Sequence, residues 1–275
     1  MITALMNVRR ACVLVFAFTS LICVFAQDVH EIIQRSVAAQ KRDWDANPDY
    51  DYSTTVKKGG HSKTFDVPMI DGSPCQILLD VDGKPVSSQL RTYEEEKIKQ
   101  ATEQRKRETR DQRANRIAAW KRQQQRDHFL MQQMVKAFNF KLQGTDELEG
   151  HKVYVLAATP KPDYRPPNHE AKVLTGMKGT MWVDQQTSQW VKVEAEVTRP
   201  VSIEGVLARV EPGTRFELRE APITTDIWLP TYFAVKAHAE VFFVFGKNSA
   251  EEDTYFDYRK APASETGTPA SGQGY

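Results

Sequence analysis

Apolar and polar residues alternate most clearly between Gly179 and Val197. Met181-Trp182-Val183 forms an apolar run, Asp184 to Ser188 is polar and turn-prone, and Val191, Val193, Ala195 and Val197 then alternate with Lys192, Glu194 and Glu196. A period of two predicts strand, turn and strand, with valines on one face and Trp190 grouped with the charges on the other. The same period recurs in Tyr50 to Val56, in Thr64 to Ile70, in Gln76 to Val81, in Lys152 to Thr159 and in Thr214 to Glu220. Ile227 to Phe245 repeats it, with a turn expected at Leu229-Pro230. Gly59-Gly60, Asp71-Gly72, Asp82-Gly83 and Glu149-Gly150 mark tight turns between such runs.

Two stretches follow helical spacing instead. In Asp28 to Trp44, residues Val29, Ile32, Ile33 and Val37 make an apolar stripe, which Asn47-Pro48-Asp49 ends. Residues 87–137 are dense in Glu, Lys, Arg and Gln, all good helix formers. Thr109 and Gln112 fit a capping box, which divides this insert into helices near Ser88 to Glu108 and Arg110 to Lys136. A short helix is expected over His169 to Met177, after a proline-rich loop. About ten short-turn strands plus these helices define an α+β fold. Its sheet is antiparallel and strongly curved, an open half-barrel, with the N-terminal helix and the charged insert on or beside the concave side.

The termini set the domain limits. Arg9-Arg10, the apolar run Ala11 to Phe25 and Val24-Phe25-Ala26 read as a signal peptide over residues 1–26. The domain is expected over 27–260 and a disordered tail over 261–275. Removing the leader also removes Cys12 and Cys23, so Cys75 stands alone and no intrachain disulfide can form. A formal net charge of +1 selects no polyanionic partner, and nucleic acid is not expected. Charge is uneven, however: Arg105, Lys106, Arg107, Arg110, Arg113 and Arg116 cluster in the insert. They read either as a solvated helical surface or as a contact for anionic membrane headgroups.

Catalytic signatures are missing. The six histidines show no helical metal pair, and there is no nucleophile elbow, phosphate loop or dinucleotide fingerprint. His128 reads as solvated, and Asp184, Glu194 and Glu196 as water-facing. No enzyme activity, cofactor or metal is expected.

One resemblance adds to this reading. The features that carry it are the amphipathic first helix, Gly179-Thr180-Met181-Trp182-Val183-Asp184 with Thr187 and Val191-Lys192-Val193-Glu194, then Trp228-Leu229-Pro230 and Phe256-Asp257-Tyr258-Arg259. Together they resemble the outer-membrane lipoprotein-sorting proteins of the LolA/LolB type, over most of Asp28 to Lys260. The long insert departs from that pattern. The resemblance implies an exported, periplasmic protein of a double-membraned bacterium that binds a lipid or acylated protein. The expected apolar lining is Trp182, Val191, Val193, Ala195, Phe216, Leu218, Phe233, Val235 and Val241. A regulator docking on a membrane-bound partner is the alternative.

Overall fold

The computed structural model describes residues 29–202, 208–241 and 244–262. The expected leader, most of the C-terminal tail, residues 203–207 and part of the strand expected over Ile227 to Phe245 lie outside the described residues.

Helix α1 spans 29–46. The chain then makes β1 (Tyr50–Lys58), β2 (His61–Val67), a small hairpin β3 (Met69–Ile70) and β4 (Ser73–Pro74), β5 (Ile77–Val81) and β6 (Lys84–Pro85). The insert folds as α2 (Ser88–Lys106) and α3 (Arg110–Ala137). After it come β7 (Phe138–Leu148), β8 (His151–Pro160), a 3-10 turn (Glu170–Gly176), β9 (Met177–Asp184) and β10 (Trp190–Val197). Short β11 (Val201–Ser202) and β12 (Ala208–Val210) precede β13 (Arg215–Pro222), β14 (Trp228–Val241) and β15 (Val244–Lys260).

The main sheet is antiparallel in the order β6-β5-β2-β1-β15-β14-β13-β10-β9-β8-β7. It ends at β6 and β7 and does not close into a barrel, as the α+β reading expects. Four hairpins turn at residue pairs with φ positive at both positions: Gly59-Gly60, Asp71-Gly72, Asp82-Gly83 and Glu149-Gly150. That geometry matches the right-handed twist of the flanking strands, and glycine in the second place tolerates it without strain.

The insert crosses one face of the sheet. The capping box is formed: the Thr109 side chain accepts from the Gln112 N–H, and Gln112 accepts from the Thr109 N–H. α3 meets β4 at its start and β7 at its end. From Arg116 to Ala137 it extends about 32 Å at 1.5 Å per residue. Met131, Met134 and Val135 of α3 pack against the same cluster as Ile32 and Ile33 of α1, which places both helices on one face of the sheet. α2 is held mainly at β5, where Glu94 is its one buried residue and accepts from the Leu78 N–H at 3.1 Å.

Two local expectations are corrected. No turn breaks the chain at Leu229-Pro230: β14 runs through it, and a register shift opposite Arg219/Glu220 accommodates a proline that cannot donate to the ladder. A second shift falls between Trp190 and Lys192. It turns Trp190 onto the helix-covered face, where it is 3% exposed, and separates Val191 from Val193.

Candidate functional site

The apolar stripe of α1 seats on the concave face. Ile32 and Ile33 pack with Leu156, Met181, Val183, Trp190 and Val193, and Met131 and Met134 of α3 close over them. The space left beside Val193 under Met134 and Phe138 is about 10 Å³, too small for a ligand, whereas Ala195 and Phe216 also border an opening of about 440 Å³ lined mostly by charged and polar residues such as Lys178, Glu194, Arg215 and Glu217. The expected lining residues therefore fall into three groups. Val193 and Ala195 lie beside the packed core under the helices. Phe216, Leu218, Phe233 and Val235 form two facing pairs, Phe216 with Val235 and Leu218 with Phe233; Leu218 packs against the core that holds Val193, Phe216 against the cluster of Phe138 and Val197, and Phe233 is 37% exposed. Trp182 and Val191 join Val153 and Trp228 in a separate cluster. Val241 pairs with Val244, and its side chain lies outside the described residues.

The large apolar opening is elsewhere. Between α1 and the sheet edge β7 lies a trough of about 1200 Å³. Val29, Ile33 and Val37 form one wall, Phe138, Phe140 and Leu142 the other, and Val135 of α3 closes one end. A pocket for one drug-sized ligand takes about 300–1,000 Å³, so this trough accommodates an extended apolar chain. His30, Lys136, Lys141 and Lys161 stand around it, and no carboxylate lines it among the described residues. Both stripes are legible in the sequence as separate amphipathic elements. Their juxtaposition is not, because it joins segments about a hundred residues apart.

A buried polar seam fastens the other end of α1. The Gln40 amide donates to Glu220 Oε2 at 2.6 Å. Asp43 Oδ1 accepts from the Trp228 N–H at 3.3 Å and from the Gln189 amide at 3.3 Å. Arg42 Nε and the Gln189 amide both donate to the Asp226 carbonyl. Burial pushes the Glu220 carboxyl up to about 8, with the Gln40 hydrogen bond opposing and the Asp43 charge adding. Burial likewise raises Asp43 to about 6, against the lowering effect of the Trp228 N–H. A carboxyl kept neutral can donate as well as accept, so this pair suits an internal latch between helix and sheet.

Three further expectations are corrected. His128 is buried and stacks on Trp44 with ring centroids 3.9 Å apart, and burial lowers its pKa. Asp184 does not face water. Its Oδ1 accepts from the Gln186 and Thr187 N–H groups and the Thr187 hydroxyl, which builds the turn of the β9–β10 hairpin. Half of the basic cluster is turned inward. Arg105 donates to the carbonyls of Ile70, Ser73 and Pro74. Arg116 forms a two-pronged pair with Glu108 and also reaches Ser73 Oγ and the Asp71 carbonyl. Arg113 pairs with Asp71 at 3.5 Å. Lys106, Arg107 and Arg110 remain exposed.

Among the described residues, no group of three or more His, Cys, Asp or Glu is arranged to hold a metal ion. No described helix is long and apolar enough to cross a membrane.

No family model matches the sequence, and no curated protein matches it. Solved structures do. An outer membrane lipoprotein-sorting protein domain from Vibrio parahaemolyticus is 13% identical over 87% of this chain and 93% of that one, at a TM-score of 0.33. A LolA superfamily protein from Nitrosomonas europaea is 12% identical over 83% and 94%, at 0.29. MucB, solved in complex with MucA(peri), is 11% identical over 85% and 99%, at 0.24. The first two belong to the group that the hairpin and closing strand resemble.

Proposed function

We propose that this is a periplasmic, non-catalytic binding protein for a lipid or lipidated chain, which it holds in the trough between α1 and β7. One observation carries this reading: an apolar opening of about 1200 Å³ rimmed by cationic side chains, with no carboxylate among the described residues that line it. Each methylene removed from water contributes roughly 0.8 kcal/mol, so a long acyl chain gains several kcal/mol after ordering costs. The lysines suit an anionic or ester-bearing head at the mouth. Phe233, Leu218 and Val235 offer a second apolar contact. The docking-regulator alternative has less support, because Arg105, Arg113 and Arg116 are committed to the β3–β4 hairpin.

A fluorescent fatty-acid probe tests the reading. Val37 is 40% exposed on the trough wall, so Val37→Asp should leave the fold intact. It should weaken probe binding at least tenfold, since a carboxylate placed there must lose its water when the chain enters. A parent protein that binds no probe, or a folded variant that binds it equally well, would refute the assignment.

A further inference from the structure

The two ends of the sheet differ. At one end β6 is two residues long, and one of them is Pro85, which cannot donate to a neighbour. At the other end β7 is eleven residues long and pairs only with β8 among the described residues. The ladder between them begins with the Lys161 N–H donating to the Ala137 carbonyl, and Phe138 lies opposite Pro160. Antiparallel pairing alternates, so Asn139 and Lys141 bond inward to β8. Phe138 has given its N–H to the Met134 carbonyl at the end of α3. The N–H and C=O groups of Phe140 and Leu142 therefore point away from the sheet, at the rim of the apolar trough. Beyond Leu142 a register shift before Gly144 ends the regular edge.

An acyl chain alone would cover these backbone groups and leave them without partners, which costs free energy. An extended polypeptide would pair with them. We propose that the ligand is an acylated polypeptide whose chain adds as a strand to the free edge of β7 while its acyl group lies in the trough. Successive residues of the added strand point to opposite faces. On the trough side they meet Val29, Ile33 and Val37, which select apolar side chains. On the other side they meet Asn139 and Lys141, with Lys136 and Lys161 nearby and no carboxylate among the trough's lining residues, which selects acidic ones. A lysine on an edge strand ordinarily deters pairing; an acidic partner removes that deterrent. The partner's recognition segment is thus short, with apolar and acidic residues alternating.

This inference rests on the proposed acyl site, and the experiment separates the two. The full chain is titrated with a palmitoylated peptide of alternating valine and glutamate, and separately with palmitate, while amide exchange is followed by NMR. The peptide should slow exchange at the Phe140 and Leu142 N–H groups, and palmitate should not. N-methylating the alternate peptide nitrogens that face β7 should weaken binding about tenfold, corresponding to one or two lost strand hydrogen bonds. Methylating the other set should leave affinity unchanged. Binding of the peptide without protection of these two amides, or equal affinity for both methylated forms, overturns strand addition and leaves the acyl site standing. Failure of both palmitate and the peptide to bind overturns both.

Discussion

Glu220→Gln should make the protein more stable at neutral pH, and the gain should grow as pH rises. Glu220 lies on β13, 4% exposed, facing Gln40 of α1. Its carboxyl sits at about 8 in the fold against an ordinary 4.5, chiefly because burial disfavours the charged form. The folded state therefore holds a proton that the unfolded chain has released. Between those two values stability falls as pH rises; below 4.5 and above 8 this group contributes no slope. At 1.36 kcal/mol per unit, the loss reaches about 3 kcal/mol by pH 7. Glutamine accepts the same hydrogen bond from Gln40 and has no proton to lose. Asp43, raised to about 6, contributes a loss of the same sign at lower pH, and that part of the slope should remain in the variant. Urea unfolding at several values between pH 5 and 8 reads both effects. The parent should weaken over this range, and the variant should gain about 3 kcal/mol near pH 7 and little at pH 5. A variant less stable than the parent at pH 7, or a parent whose stability is flat across the range, would refute the neutral-latch account. The result bears on function because this latch holds one end of the helix that forms a wall of the trough.

Three other substitutions probe the rest of the architecture. Val193→Phe should overpack a site with about 10 Å³ to spare and destabilise by about 1–3 kcal/mol without displacing an acyl probe, as thermal melting and probe titration would show. Gly179→Ala should also destabilise by about 1–3 kcal/mol, because its Cβ would lie 2.5 Å from the Glu194 carbonyl oxygen; an unchanged denaturation midpoint would contradict the close β9–β10 approach. Arg116→Ala removes the pair to Glu108 and the bond to Ser73, and should cost about 1–3 kcal/mol. Limited proteolysis should then cut near Arg107 while the β strands stay protected.

What the sequence revealed was local, and what it hid was pairing. The four tight turns, the Thr109 capping box and the stripe of α1 are written in neighbouring residues, so they are legible. The shift at Trp190 is not. Valines alternate with charges from Val191 onward, and only the register against Val183 and Met181 shows which side of the sheet Trp190 takes. His128 reads as solvated from its charged helix, yet its environment is Trp44, which belongs to another helix. The arginines of the insert read as an exposed basic patch because their acceptors are backbone carbonyls of Ile70, Ser73 and Pro74, which no side-chain pattern announces. The same physics hid the site. The alternation of Phe138, Phe140 and Leu142 and the spacing of Val29, Ile33 and Val37 each predict an element with one apolar face. A two-faced element normally buries that face. Here α1 spends Ile32 and part of Ile33 on the core and leaves Val37 40% exposed beside a sheet edge with no neighbouring strand among the described residues. An apolar stripe wider than the surface it covers is the mark of a binding face, and that excess emerges only when burial is compared residue by residue with the pattern.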